Sequence, residues 1–238
     1  MATAVLPKRG SRPTAIAPWW HTALLIAFFA IMAVAGARLR HAAGARADLI
    51  DHRPNAASLY VGLIIGEWGL VYYIWKAGLR RTGTTMAQLV GGAWASPRMV
   101  FLDGFLALAT WTLWRSIAWL CSIWFGAAHA ASISHLLPRG VAESILWVFL
   151  SISAGISEEL VFRGYLQRQL TVFTGRAPVA LLIQAAVFGI AHGYQGWQSC
   201  FLIAVYGALF TSLALWRHSL RPGMIAHAWT DIAGGLLS

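Results

Sequence analysis

Residues 145–163 read ILWVFLSISAGISEELVFR, and they place two adjacent glutamates, Glu158 and Glu159, directly after a long apolar run. The whole chain contains only eight acidic residues, so a neighbouring pair in this position is unusual. A charged side chain near the centre of a bilayer costs about 2.5–3.5 kcal/mol on insertion scales. The stretch therefore predicts that each carboxylate has either a bound partner or a chemical task.

The composition of the chain is that of a membrane protein. Of its 238 residues, 58% are hydrophobic and 11% are charged, and the mean hydropathy is +0.63. Soluble domains carry about 25% charged residues, so this chain has too few to cover a water-facing surface. We therefore predict an all-α fold, a polytopic transmembrane helical bundle. Cys121 and Cys200 lie in separate apolar runs, which indicates packed thiols and no disulfide framework.

Seven apolar runs are candidates for membrane helices, for which a full span takes roughly 20 residues. They cover residues 19–37, 58–75, 100–128, 141–157, 179–192, 200–216 and 224–237. The third run has room for one tilted helix or two shorter ones, so we predict about seven or eight membrane helices. The first run is longer than the apolar core of about 7–15 residues in a signal peptide, and we expect an uncleaved helix there.

The formal net charge of +10 follows from basic residues between the apolar runs. Short cytoplasmic segments of membrane proteins are enriched in Lys and Arg, so this charge does not indicate nucleic acid, which we exclude as a partner. The basic segments 76–98, 168–176 and 217–221 place the N-terminus inside and the C-terminus outside for seven spans. The segment with Arg38, Arg40, Arg46 and Arg53 disagrees, because this arrangement puts it outside.

Helical spacing separates the roles of the two glutamates. Glu159 and Arg163 are four residues apart, so they share one helix face and are expected to form an ion pair. Glu158 points about 100° away from Glu159 and is free to face a cavity. The alternative interpretation is structural: a buried ion pair and a spare carboxylate at a helix end that faces water.

Two histidines on other apolar runs favour a functional interpretation. His192 ends one run, and His227 lies in the last, with Asp231 one turn later on the same helix face. A lone intramembrane histidine is more often a satisfied core group, but histidine is also the side chain most easily poised as acid or base near neutral pH. Glu67 and Arg115 also lie inside apolar runs, and we expect them to pair across helices as a structural contact.

These residues match an ordered set of three motifs. The segments are Glu158-Glu159-Leu-Val-Phe-Arg163, Phe188-Gly-Ile-Ala-His192 and His227-Ala-Trp-Thr-Asp231. The set resembles the CAAX-processing and bacteriocin-processing (CPBP, or Abi) family of intramembrane endopeptidases, which includes the type 2 CAAX prenyl proteases. The resemblance covers residues 144–238. It divides the chain into N-terminal transmembrane helices with basic loops (1–140) and a catalytic transmembrane core (141–238).

The resemblance implies a role for each motif residue. Glu158 and His192 would hold and activate a water, with Glu158 as general base. His227 and Asp231 would flank the substrate carbonyl, and His227 would donate a hydrogen bond to the oxyanion. Several members of the family have Asn at the position of Asp231.

The same resemblance assigns Glu159 and Arg163 a supporting role, in which they fix the helix that carries Glu158. No cofactor is expected, because the resemblance favours a glutamate-dependent reaction without a metal. Zinc stays an alternative, since Glu158, His192 and His227 make a three-ligand set with room for a water. No HExxH helix accompanies them.

The expected activity is the hydrolysis of a peptide bond in a membrane-associated protein or peptide substrate. We expect a multi-pass protein of a prokaryotic inner (plasma) membrane, with the lipid bilayer as its other partner and a substrate other than prenylated CAAX proteins. Two alternatives remain: a non-catalytic membrane scaffold or regulator, and a proton-coupled transporter. A transporter often has inverted repeats or paired broken helices, and the sequence has neither.

Overall fold

The computed structural model describes residues 14–44, 56–125 and 136–237. This part of the chain is helical throughout and contains no strand. Its eight helices are α1 Trp19–Gly44, α2 Ala56–Thr82, α3 Met86–Val90, α4 Pro97–Phe125, α5 Val141–Thr174, α6 Ala177–Ala191, α7 Trp197–Arg217 and α8 Arg221–Leu236. The predicted all-α helical bundle is confirmed.

Five of these helices, α1, α2, α4, α5 and α7, are long and apolar enough to cross a membrane. The apolar helix α6 has 15 residues and extends about 22 Å, less than the roughly 30 Å of a hydrocarbon core. The third predicted run forms a single helix as far as Phe125, and residues 126–128 of that run lie outside the described residues. Of the four arginines that disagree with the predicted orientation, Arg46 and Arg53 also lie outside the described residues, and Arg38 and Arg40 lie in the last turns of α1.

Helix α5 is longer than the sequence predicts. The apolar run was expected to end at residue 157, but the helix continues through the two glutamates to Thr174, with a π-helical segment at Glu159–Leu166. All eight residues of that segment are buried. The charges did not end the helix because they lie inside the bundle, where other helices supply their partners.

Helix α5 is central to the bundle. Its first half packs against α2 and α8, and its last turns pack against α6. Helix α7 runs along α6, α4 lies against α8 and α7, and α1 contacts α6 and the turn Gly193–Gln195 that follows it. The helices before residue 140 thus pack directly on those after it, and the proposed division into two regions stays a prediction.

One end of the bundle is closed by a buried charge cluster. Asp103 of α4 is fully buried, and its carboxylate lies 2.9 Å from Arg217 Nε and 3.3 Å from Arg221 Nε. Trp94 Nε1 also donates to it, at 2.8 Å. Both arginines lie beside the α7–α8 connection. Their contacts with Asp103 therefore fix the start of α8 relative to α4.

A second polar network ties α1 to α2 and α5. His21 Nδ1 lies 2.6 Å from the Tyr165 hydroxyl, and the His21 ring stacks on Tyr73 of α2 at 4.0 Å. Gln169 accepts from the backbone N–H of Ile16 at 2.8 Å and donates to Thr22 Oγ1 at 3.0 Å. These hydrogen bonds satisfy buried polar groups, so they stabilise the position of α5 instead of forming a reactive site.

Helices α5 and α8 lie in close backbone contact at Gly155. A Cβ added there would lie 2.7 Å from the backbone nitrogen of Ala228 and 2.9 Å from the carbonyl oxygen of Met224. Small residues allow this contact between helix backbones in membrane proteins. The contact lies one turn before Glu158 and next to His227, so it sets the distance between the helices that carry them.

We predict that Gly155→Ala destabilises the protein by about 1–3 kcal/mol, because the new methyl group must push α8 away. Its measure is the free energy of unfolding in detergent micelles. The matched control is Gly104→Ala in α4, where an added Cβ meets nothing within 4 Å. The control is expected to be neutral or slightly stabilising, and equal losses in both variants would contradict the packing argument.

Candidate active site

The centre of the site is a buried ion pair within α5. Arg163 Nη1 lies 3.3 Å from Glu159 Oε1, and the exposed fractions of the two residues are 3% and 0%. The guanidinium carbon of Arg163 lies 4.1 Å from the centre of the Phe188 ring, a cation–π contact. The structure thus contains the ion pair that the spacing predicts, with an aromatic ring of α6 covering the cation.

His227 of α8 completes this centre. Its Nδ1 lies 3.1 Å from Glu159 Oε1, the same oxygen that faces Arg163. The imidazole is buried and lies edge-on to Tyr206 and Phe210, with ring centres 5.2 Å and 6.0 Å away. Because a carboxylate only accepts hydrogen bonds, Nδ1 must be the donor, and this fixes the orientation of the imidazole.

The other ring nitrogen of His227 faces two carboxylates that are more accessible. Nε2 lies 3.7 Å from Glu158 Oε2 and 3.6 Å from Asp231 Oδ2, and these side chains are 22% and 34% exposed. The imidazole therefore joins a fully buried carboxylate to two that are partly exposed. Such a group can hold and pass protons, since Nε2 accepts in the neutral ring and donates in the imidazolium.

The change from α to π geometry falls between the two glutamates. The α-helical part of α5 ends at Glu158, and the π segment begins at Glu159. Single π turns inside α-helices are rare and are often found at functional sites. The residue spacing predicts a regular helix here, and nothing in the residue pattern indicates the wider turn.

His192 caps the end of α6 and is partly buried. Its Nδ1 donates to the carbonyl oxygen of Phe188 at 2.9 Å, which leaves Nε2 of the neutral ring as an acceptor. The Phe188 ring contacts His192 edge-on at 5.0 Å and His227 at 6.4 Å. His192 is thus linked to the other site residues through Phe188, whereas Glu158, Glu159, Arg163, His227 and Asp231 are joined directly by the contacts described above.

The arrangement does not form a ready metal-ligand set. Within the described ranges, no group of three or more His, Cys, Asp or Glu side chains is placed to hold a metal ion. The alternative zinc set, Glu158, His192 and His227, is not such a group, and the choice between a metal-free reaction and zinc stays a prediction.

Two contacts of the site were missed or misassigned from the sequence. Glu67 of α2 was expected to pair with Arg115, but this prediction is wrong: Glu67 Oε2 accepts from Ser153 Oγ at 2.6 Å, and Arg115 is exposed. Trp147 Nε1 donates to the backbone oxygen of Asp231 at 2.9 Å, which ties α5 to α8 beside the site. Neither serine nor tryptophan carries a charge signal that would have indicated these contacts.

We predict that Arg163→Met lowers the free energy of unfolding by about 3–5 kcal/mol, because it leaves the Glu159 carboxylate buried without its main cation. Chemical unfolding in detergent would measure the loss. The control is Arg98→Met at the start of α4, where the arginine is exposed, and we expect a change within about 0.5 kcal/mol. Similar stability of the two variants would show that the pair is not a structural centre.

Comparison with known proteins agrees with the motifs. The model of the family described as type II CAAX prenyl endopeptidase Rce1-like matches residues 140–233. This range contains all six predicted site residues, and it agrees with the resemblance seen in the sequence. Comparisons with curated proteins and with solved structures give no significant match. Residues 140–233 of this chain are therefore similar to the Rce1-like family of type II CAAX prenyl endopeptidases, in agreement with the resemblance seen in the sequence.

Proposed function

We propose that this integral membrane protein is an intramembrane endopeptidase that hydrolyses a peptide bond of a membrane-associated protein or peptide. The observation that carries the proposal is the accessible carboxylate of Glu158, 3.7 Å from His227 Nε2 and adjacent in sequence to the buried Glu159–Arg163 pair. A reactive carboxylate needs both access to substrate and a rigid support. Here Glu158 is the accessible carboxylate, and the neighbouring Glu159–Arg163 pair is its support.

In the first step, a water held by Glu158 and His192 attacks the carbonyl carbon of the substrate. Glu158 accepts the proton that the water loses, and the new carbon–oxygen bond forms as the carbonyl π electrons move to oxygen. His192 supports this role because its Nδ1 is committed to the Phe188 carbonyl, which leaves Nε2 free to accept a hydrogen bond from the water.

In the second step, the tetrahedral intermediate is stabilised and collapses. Because Nδ1 already donates to Glu159, His227 acts as the imidazolium and donates from Nε2 to the oxyanion, a contribution of about 10²–10³ in rate for one donor. The carbon–nitrogen bond then breaks, and Glu158 returns its proton to the departing nitrogen. Asp231, which lies 3.6 Å from the same Nε2, orients the imidazole for this contact.

Glu159 and Arg163 are the supporting residues in this scheme. Both are buried, so they are out of reach of a substrate. Glu159 fixes His227 through Nδ1, and Arg163 neutralises Glu159. The site therefore keeps its shape while Glu158 gains and loses a proton.

The location and substrate follow from the same proposal. We propose that the protein acts in the inner (plasma) membrane of a prokaryote, where prenylated CAAX proteins are not expected. The substrate is then an anchored protein, a maturing peptide or a C-terminal sorting segment, cleaved near its end.

The test of catalysis is a comparison of protein termini in membranes from cells that make the wild-type protein, Glu158→Gln or His192→Ala. We expect new termini with the wild type and a loss of at least about 100-fold in both variants. The control is Glu143→Gln, which changes a carboxylate at the start of α5 that accepts from Arg139 N–H. Termini that persist in both variants would contradict the proposal and favour a scaffold.

We further propose that the reaction uses no metal. The expected result is that membranes treated with a zinc chelator produce the same termini at the same rate as untreated membranes. Loss of activity with the chelator, restored by added zinc and accompanied by stoichiometric metal in the purified protein, would contradict this part of the proposal.

A further inference from the structure

An apolar groove lies at the start of α4, outside the catalytic site. It has a volume of about 550 Å³ and is lined by Trp94, Ala95, Ser96, Pro97, Val100 and Phe101. Exposed apolar residues continue from it along one face of α4, at Phe101, Phe105 and Leu108. Membrane-spanning helices are apolar and face lipid chains, so these residues alone do not identify a ligand.

A surplus of positive charge lies beside the groove. Arg217 and Arg221 share the carboxylate of Asp103, with contacts of 2.9 Å and 3.3 Å. Arginine keeps its proton in any protein environment, so two cations face one anion and one positive charge is left over. Arg98, which follows the groove residue Pro97, is exposed and adds another.

Trp94 connects the groove to these charges. Its ring forms one wall of the groove, and the guanidinium carbon of Arg221 lies 5.1 Å from the ring centre. Its indole Nε1 donates to Asp103 Oδ2 at 2.8 Å. The apolar groove and the charged side chains are therefore parts of one continuous surface.

The arginines differ in how far the protein itself occupies them. Arg221 is nearly buried, and its Nη1 donates to the carbonyl oxygen of Gly92 at 2.6 Å. The Arg217 side chain pairs with Asp103 through Nε and is 18% exposed, and Arg98 is exposed. Arg98 and Arg217 thus present their charge to the surface, where an anion can approach them.

The groove lies at the end of the bundle where three basic segments meet. Arg168 donates to the carbonyl oxygen of Gln88 at 3.0 Å, and the N–H of Leu220 donates to that of Val90 at 2.9 Å. These contacts join the basic segments 76–98, 168–176 and 217–221, which the charge distribution predicts to be inside. Basic pockets between membrane helices on that side attract anionic lipid headgroups.

A second groove provides a contrast within the same molecule. It has a volume of about 430 Å³ and lies at the opposite end of the bundle, where α5 begins and α8 ends. It is flanked in sequence by charges of opposite sign, because Glu143 follows Arg139 by four residues and accepts from its backbone N–H at 2.7 Å. Both grooves are apolar, but the positive surplus described above lies beside the first.

We propose that the groove beside Trp94 binds one anionic phospholipid of the inner leaflet, with its phosphate near Arg98 and Arg217 and an acyl chain along Phe101. The surplus positive charge selects an anionic headgroup, since arginine and phosphate form strong charge-assisted hydrogen bonds. The groove selects a phosphate that carries an acyl chain over free phosphate. The inference is independent of the proposed peptidase function.

Two variants separate the headgroup from the chain. Arg98→Gln removes an exposed charge beside the groove, and Phe101→Ala removes an exposed wall and leaves the charges in place. The matched control is Arg139→Gln at the second groove. The full chain, purified in a neutral detergent, would be titrated with dioleoyl phosphatidylglycerol or dioleoyl phosphatidylcholine, with bound lipid counted by native mass spectrometry. The unfolding temperature of each variant would be measured in the same detergent.

We expect the wild type to bind the anionic phosphatidylglycerol at least about five-fold more tightly than the zwitterionic phosphatidylcholine. Arg98→Gln is expected to weaken only the binding of phosphatidylglycerol, by about five-fold for the loss of one arginine. Phe101→Ala is expected to weaken both lipids by a similar factor, because they have the same acyl chains. Arg139→Gln is expected to change neither, and all variants should unfold within a few degrees of the wild type.

Equal affinity of the wild type for the two lipids would overturn the inference. So would unchanged binding in Arg98→Gln and Phe101→Ala, or losses that follow the unfolding temperature. Displacement of the lipid by inorganic phosphate, but not by chloride at equal ionic strength, would assign the site to free anions instead. A dimer that dissociates in Phe101→Ala would assign the groove to a second copy of the chain.

Discussion

The ion pair between Glu159 and Arg163 is the interaction on which the rest of the site depends. An arginine keeps its proton in any protein environment, so a buried guanidinium needs a fixed anion and a surface to cover it. Glu159 supplies the anion, and the Phe188 ring of α6 covers the cation at 4.1 Å. The oxygen that faces Arg163 also accepts from His227, so the pair holds residues of α5, α6 and α8 together.

Helix packing converts this pair into a site with an accessible side. Gly155 lets the backbones of α5 and α8 touch one turn before Glu158, which brings His227 between the two glutamates. Nδ1 then faces the buried Glu159, and Nε2 faces Glu158 and Asp231, which are partly exposed. The supporting carboxylate, Glu159, thus contacts one nitrogen of the His227 imidazole, and Glu158 and Asp231 lie beside the other nitrogen. A stable site follows, because a change in protonation at Glu158 does not disturb the buried pair directly.

Local features of this structure were predictable from the sequence, and contacts between distant helices were only partly so. The apolar runs predicted the all-α bundle because membrane helices need long apolar segments, and the spacing of Glu159 and Arg163 predicted their pair because it lies within one helix. The apolar run ended at residue 157, whereas α5 continues to Thr174, because other helices surround the charged residues inside the bundle. The contact of Glu67 with Ser153 was missed because a neutral partner on another helix leaves no charge pattern. The motifs indicated that His192 and His227 belong to one site, but not that the Phe188 ring lies between them.

The account divides two adjacent glutamates into a support and a reactive group, and unfolding measurements test this division most directly. Glu158→Gln and Glu159→Gln would be purified in the same detergent, and their free energies of unfolding compared with that of the wild type. The account predicts a change within about 1 kcal/mol for Glu158→Gln, whose side chain is accessible, and a loss of about 3–5 kcal/mol for Glu159→Gln, which leaves Arg163 buried without an anion. Equal stability of the two variants, or a greater loss in Glu158→Gln, would contradict it.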